Sequence, residues 1–134
     1  MKYYLLLVAA VILGLSVTAN LDAQSQSALI DGAKKEAKLT WYTSMAVDTS
    51  KPLLDAFVKE HPFIKPELVR LGEEQLVNRI LSETRAGRWA FDVLSTSSIA
   101  TMIERKMIAP YLAPDRDLFM DQFKDPQGYW TGVF

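Results

Sequence analysis

Residues 39–44 read Leu39-Thr40-Trp41-Tyr42-Thr43-Ser44. Aromatic and β-branched residues dominate this stretch, which predicts a strand, and it ends on two hydroxyl side chains. Upstream, residues 28–38 set Leu29, Ile30, Ala33 and Ala37 on one stripe, the pattern of a short amphipathic helix with Ser27 as its cap. Downstream, Ser50 is expected to cap a second helix with Pro52 in its first turn and a buried face of Leu53, Leu54, Phe57 and Val58, ending at His61-Pro62. A second strand follows over residues 67–71, Glu67-Leu68-Val69-Arg70-Leu71, and Gly72 breaks it.

The alternation then continues. Glu73 and Glu74 bring negative charge to the first turn of a helix whose stripe is Leu76, Val77, Ile80 and Leu81, with Gly87 as its carboxyl-terminal cap. Arg88-Trp89 is expected to lie as a lid on the core. Residues 91–94, Phe91-Asp92-Val93-Leu94, form a third strand, followed by Ser95-Thr96-Ser97-Ser98 and a helix through Ile99, Met102 and Ile103. Met102 and Met107 read as core. Pro110, Pro114 and Pro126 then punctuate the chain until strand character resumes over residues 129–134. Strand and helix in strict succession predict an α/β fold, with a parallel βαβαβ core, right-handed crossovers and helices on both faces.

Such a sheet takes ligands beyond the carboxyl ends of its strands, where the winding direction reverses. With the first strand in the centre, Thr43 and Ser44 from one loop and Ser95, Thr96 and Ser97 from another line that crevice. Hydroxyls, unpaired backbone N–H groups and helix termini gathered in one place suit an anion, so these five residues are the candidate ligand-binding set. The alternative is that the hydroxyls cap helices or face water. Trp41 and Tyr42 are expected to divide, one ring inside and one near the crevice rim.

Composition narrows the chemistry. The 134 residues carry 15 Lys and Arg against 16 Asp and Glu, a formal net charge of -1, which favours neither nucleic acid nor an anionic membrane surface. There is no Cys and a single His, so thiolate and paired-histidine metal sites are excluded, and no metal site or cofactor is expected. No G-x-S-x-G elbow accompanies His61. Gly32-Ala33-Lys34-Lys35 lacks the glycines of a phosphate-cradling loop, and Glu73-Glu74, adjacent on a helix, read as surface charges. Catalysis is not expected; an exported α/β hydrolase using a serine of residues 95–98 is one competing reading, and a truncated fragment without autonomous activity is the other. At the amino end, Lys2 precedes an apolar run from Leu5 to Val17 and small residues at Ala19 and Ala23, the pattern of a secretory signal peptide over residues 1–23.

The ordered set of Leu29-Ile30-Asp31-Gly32-Ala33-Lys34-Lys35-Glu36, Leu39 to Ser44, Phe91 to Ser97 and Gly128-Tyr129-Trp130-Thr131-Gly132 resembles the amino-terminal part of family 1 extracellular solute-binding proteins of ABC importers, the iron(III)-type members above all. The resemblance implies a periplasmic two-lobed binding protein that closes on its ligand by a hinge and passes it to an inner-membrane permease. Residues 24–134 would then be the amino-terminal part of its first lobe, an incomplete fragment with an unpaired sheet edge. Thr43, Ser44, Ser95, Thr96 and Ser97 correspond to loops that face the cleft in that family. The transported ligand it implies is a small anion, an organic acid or anion-chelated ferric iron. Two departures stand out. The tyrosines that ferric-binding members use lie in a later part of the family chain, and where some carry a histidine after the first strand this sequence has Met45-Ala46-Val47.

Overall fold

The computed structural model describes residues 27–132. The expected signal peptide over residues 1–23 and the last two residues of the expected final strand lie outside the described residues. Helix α1 covers residues 27–36, followed by strand β1 (Lys38–Thr43), helix α2 (Val47–Glu60), strand β2 (Lys65–Arg70), helix α3 (Glu73–Arg85), strand β3 (Val93–Ser95) and helix α4 (Ile99–Glu104). Two 3₁₀ turns, Pro114–Leu118 and Asp121–Phe123, complete the regular structure of the described residues.

The three strands form one parallel sheet in the order β2-β1-β3, which is the arrangement expected with the first strand central. Six registered pairs join β1 to β2, from Lys38 with Lys65 to Thr43 with Arg70, and three join it to β3, from Trp41 with Val93 to Thr43 with Ser95. Because strand side chains alternate, Trp41 and Tyr42 point to opposite faces. Both are buried, with 8% and 1% of their surface exposed, and the indole N–H of Trp41 reaches Ser95 Oγ at the end of β3, so Trp41 is the one of the two near the crevice.

The Tyr42 face carries the core. Tyr42, Leu76, Ile80, Met102 and Met107 pack there, joined by Val69, Val77, Leu81, Phe91 and Leu94. These positions put α3 and α4 on one side of the sheet. The Tyr42 hydroxyl donates to the Glu83 carboxylate at 3.1 and 3.2 Å, Arg79 Nε donates to Glu83 at 2.9 Å, and the Arg79 guanidinium lies 4.9 Å from the Tyr42 ring centre. Burial, and then the Glu83 carboxylate beside it, raise the Tyr42 pKa above its ordinary value. Helix α2 stands on the opposite face, where Leu53, Leu54 and Phe57 with Leu39, Trp41 and Val93 line an open apolar groove of about 190 Å³.

Several local expectations are corrected. Helix α2 starts three residues before Ser50, with Ala46 at its N-cap position and Pro52 inside the helix rather than in its first turn. Ser50 is fully buried and its hydroxyl donates back to the Ala46 carbonyl at 3.0 Å, so burial against the sheet, rather than capping, decides its place. Ser98 occupies the N-cap position of α4 but makes no side-chain cap bond. Leu29 and Ile30, the expected buried stripe of α1, are 69% and 40% exposed, and Trp89, the expected lid, is 63% exposed. Among residues 129–132, strand pairing reduces to one antiparallel bridge between Lys124 and Thr131.

Candidate functional site

Each of the three parallel strands ends at the same edge of the sheet, at Thr43, Arg70 and Ser95. From there the chain leaves β1 toward α2 on one face and leaves β3 toward α4 on the other. The two departing loops therefore diverge, and a parallel sheet opens its binding crevice at such a point. The Ser44 N–H donates to the Ser95 carbonyl at 3.0 Å, which fixes the two loops side by side. All five sequence-predicted site residues are brought together along this rim.

Their side chains differ in what they face. Thr43 is fully buried, and its hydroxyl oxygen accepts the Met45 N–H at 3.0 Å, shaping the loop. Ser95 Oγ accepts the Trp41 indole N–H at 3.0 Å. The Thr96 hydroxyl is hydrogen-bonded to Glu73 Oε1, and its oxygen accepts the Ser98 N–H at 3.0 Å. Ser97 is exposed, and its N–H donates to Glu73 Oε2 at 3.4 Å. The Ser98 N–H donates to Glu73 Oε1 at 2.9 Å.

Glu73 is thus the residue that the sequence reading missed. It is the first residue of α3, and Gly72 before it adopts an extended conformation that starts the helix beside the crevice. Burial by itself would raise the carboxyl pKa. The hydroxyls of Ser44, Ser98 and Thr96 and the backbone N–H of Ser97 outweigh burial and hold it down at about 2. Hydrogen bonds to the ionised form always act in this direction. A carboxylate of the chain itself occupies the place where the sequence reading put an external anion. The clue in the sequence was indirect: a loop of several hydroxyl and backbone N–H donors with no carboxylate of its own is served by one from elsewhere in the fold.

Arg70 is the second missed residue. It ends β2 in register with Thr43, is exposed, and its Nε donates to the Met45 carbonyl at 3.2 Å. That bond leaves the two terminal amino groups of the guanidinium for other partners, and among the described residues no ion pair involves Arg70. Its position as the last strand residue before Gly72 was the available signal. Glu74, next to Glu73, is exposed as expected of a surface charge.

His61 lies elsewhere. It follows α2 and precedes β2, at the amino edge of the sheet, and its ring lies tilted 4.9 Å from Phe57 and edge-on 6.0 Å from Phe63. Ser95 stands at the opposite, carboxyl edge. Among the described residues, no three His, Asp or Glu side chains gather into a metal-holding group, and no helix is long and apolar enough to cross a membrane. No family model matches the chain, and no curated protein matches it.

Proposed function

We propose that this chain is the substrate-binding component of an ABC importer, exported to the periplasm, where it captures a small anion, an organic acid or anion-chelated ferric iron. Its fold is then a solute-binding-protein lobe, and its partner is an inner-membrane permease. The observation that carries this reading is the hydrogen bond from Ser44 to Ser95, which holds two hydroxyl-bearing loops together at the point where the chain turns to opposite faces. Arg70 supports the anionic class of ligand, because a guanidinium fixed through Nε presents its remaining donors in a planar fork suited to carboxylate or phosphate. The family resemblance and the apolar leader support export and transport. Binding by such a crevice needs no covalent step, only differential contact with the open and closed states.

Isothermal titration of the mature chain with citrate, phosphate and ferric citrate tests the reading. Saturable heat with at least one probe is expected, with an affinity about tenfold or more weaker after Arg70→Ala. Absence of binding by all three probes overturns it.

A further inference from the structure

In a parallel sheet every helix that leads into a strand delivers its carboxyl end to the same edge, here the amino edge, opposite the crevice. Three junctions meet there: α1 to β1, α2 to β2 and α3 to β3. The first carries Lys34, Lys35 and Lys38, the second Lys59 and Lys65, the third Arg85 and Arg88, and all seven side chains are exposed. Lys34 pairs with Asp31 at 3.9 Å; among the described residues the other six are in no ion pair. Glu36, Glu60, Glu67 and Asp92 are the carboxylates at the same edge, and Asp92 is engaged by the Thr40 N–H. Positive charge thus gathers at one edge of a chain whose formal net charge is -1.

Helix termini account for part of this arrangement, because cations in a last turn complement the helix dipole, as Lys59 and Arg85 do. They do not account for Lys38 and Lys65. These two open β1 and β2 as registered neighbours, so their side chains leave the same face of the sheet with Cα atoms about 5 Å apart. Like charges side by side on neighbouring strands destabilise a sheet, and a local conflict of this kind marks a functional surface. Arg88 lies outside any helix and is followed by Trp89, which is 63% exposed.

We propose that the amino edge of the sheet is a docking face for an anionic lipid bilayer, with the cations of the three junctions against the phosphate headgroups and the Trp89 ring in the interfacial layer. A bilayer surface calls for cations spread over a broad area rather than for a shaped pocket, and for amphipathic rings that sit at headgroup level. Single-stranded nucleic acid is engaged by a groove with several stacking rings, whereas Trp89 is the one exposed ring of these three junctions. The inference goes beyond the solute-binding reading and does not rest on it. The crevice lies at the opposite edge and stays open to solution while the amino edge rests on the membrane.

Co-sedimentation with vesicles tests this, using residues 24–134, which include every described residue. Vesicles of phosphatidylcholine with about one third phosphatidylglycerol are expected to bind the protein, pure phosphatidylcholine is not, and sodium chloride at about 0.5 M is expected to release it. The double variant Lys38→Gln, Lys65→Gln is expected to bind about tenfold more weakly. Lys51→Glu makes the same change in net charge on the exposed side of α2, away from this edge, and is expected to bind like wild type. Tryptophan emission is expected to move to shorter wavelength on binding, a shift that Trp89→Ala abolishes. Each substituted side chain is exposed, so the variants keep their fold, which circular dichroism verifies. Equal binding to neutral and anionic vesicles, no binding to either, or equal weakening by Lys51→Glu and by the double variant overturns the proposal. Binding to a DNA duplex without binding to vesicles overturns it as well and assigns the face to nucleic acid.

Discussion

At the scale of single residues, the Glu73 carboxylate links the crevice to stability. Its folded pKa of about 2 lies below the ordinary 4.5, so as pH falls the unfolded chain takes up a proton before the folded chain does. The stability it contributes is complete above about pH 4.5, declines between 4.5 and 2, and is gone below that window. Partial exposure screens the interaction, which leaves a contribution of about 1 kcal/mol. Urea midpoints measured across this range are expected to fall more steeply for wild type than for Glu73→Gln; superimposable profiles would refute the assignment. Ser95 offers a second case. Replacing it with Ala removes the acceptor for the Trp41 indole N–H in a largely buried setting, with an expected loss of about 1–2 kcal/mol in chemical denaturation. The types and positions of the hydroxyl residues were legible in the sequence because they flank strands. Their partners were not, since the bonds from Trp41 to Ser95 and from Thr96 to Glu73 join residues 54 and 23 positions apart.

At the scale of elements, periodicity located every strand and helix of the sheet unit, and the errors fall at the ends. The start of α2 failed because Ser50 was read as a cap, whereas it lies buried inside the helix; Ser98 does stand at the N-cap position of α4, though without a side-chain cap bond. Helix α1 failed for another reason, since an apolar stripe states only that a face would be buried if something packed on it. The carboxyl end of α3 was legible, because Gly87 adopts φ +71° just beyond Ala86 and such a conformation favours glycine. Gly87→Ala is expected to cost about 1 kcal/mol. Ala37 has φ +54° between α1 and β1, so the opposite change, Ala37→Gly, is expected to stabilise by a similar amount or less. Thermal melting of the two variants should give shifts of opposite sign, and shifts of the same sign would show that left-handed strain does not govern these junctions.

Over the whole molecule, the parallel order and the central place of β1 followed from the alternation of elements, but the unequal covering of the two faces did not. Helices α3 and α4 close the Tyr42 face, while α2 leaves a groove beside Trp41 with Leu53 and Val93 each about half exposed. Only four hydrophobic side chains, Tyr42, Leu76, Ile80 and Met102, are fully enclosed among the described residues. Leu76→Ala is expected to cost about 2–5 kcal/mol, comparable with the entire stability of a small domain, and so to abolish the cooperative melting transition. The open apolar face is expected to promote self-association, seen as concentration-dependent elution in gel filtration; a monomer at all concentrations with a sharp, high transition would refute this. The sheet is uneven in a further way, for β3 has three residues against six in β1. Beyond its amino end Asp92 continues the ladder, accepting the Thr40 N–H on its carboxylate at 2.7 Å while its own N–H donates to the Thr40 carbonyl at 2.9 Å. A side chain detaches more readily than a paired strand, so deuterium should enter the Thr40 amide well ahead of the β1 amides that face β2, and the first breathing motion of the molecule would peel away its β3 side.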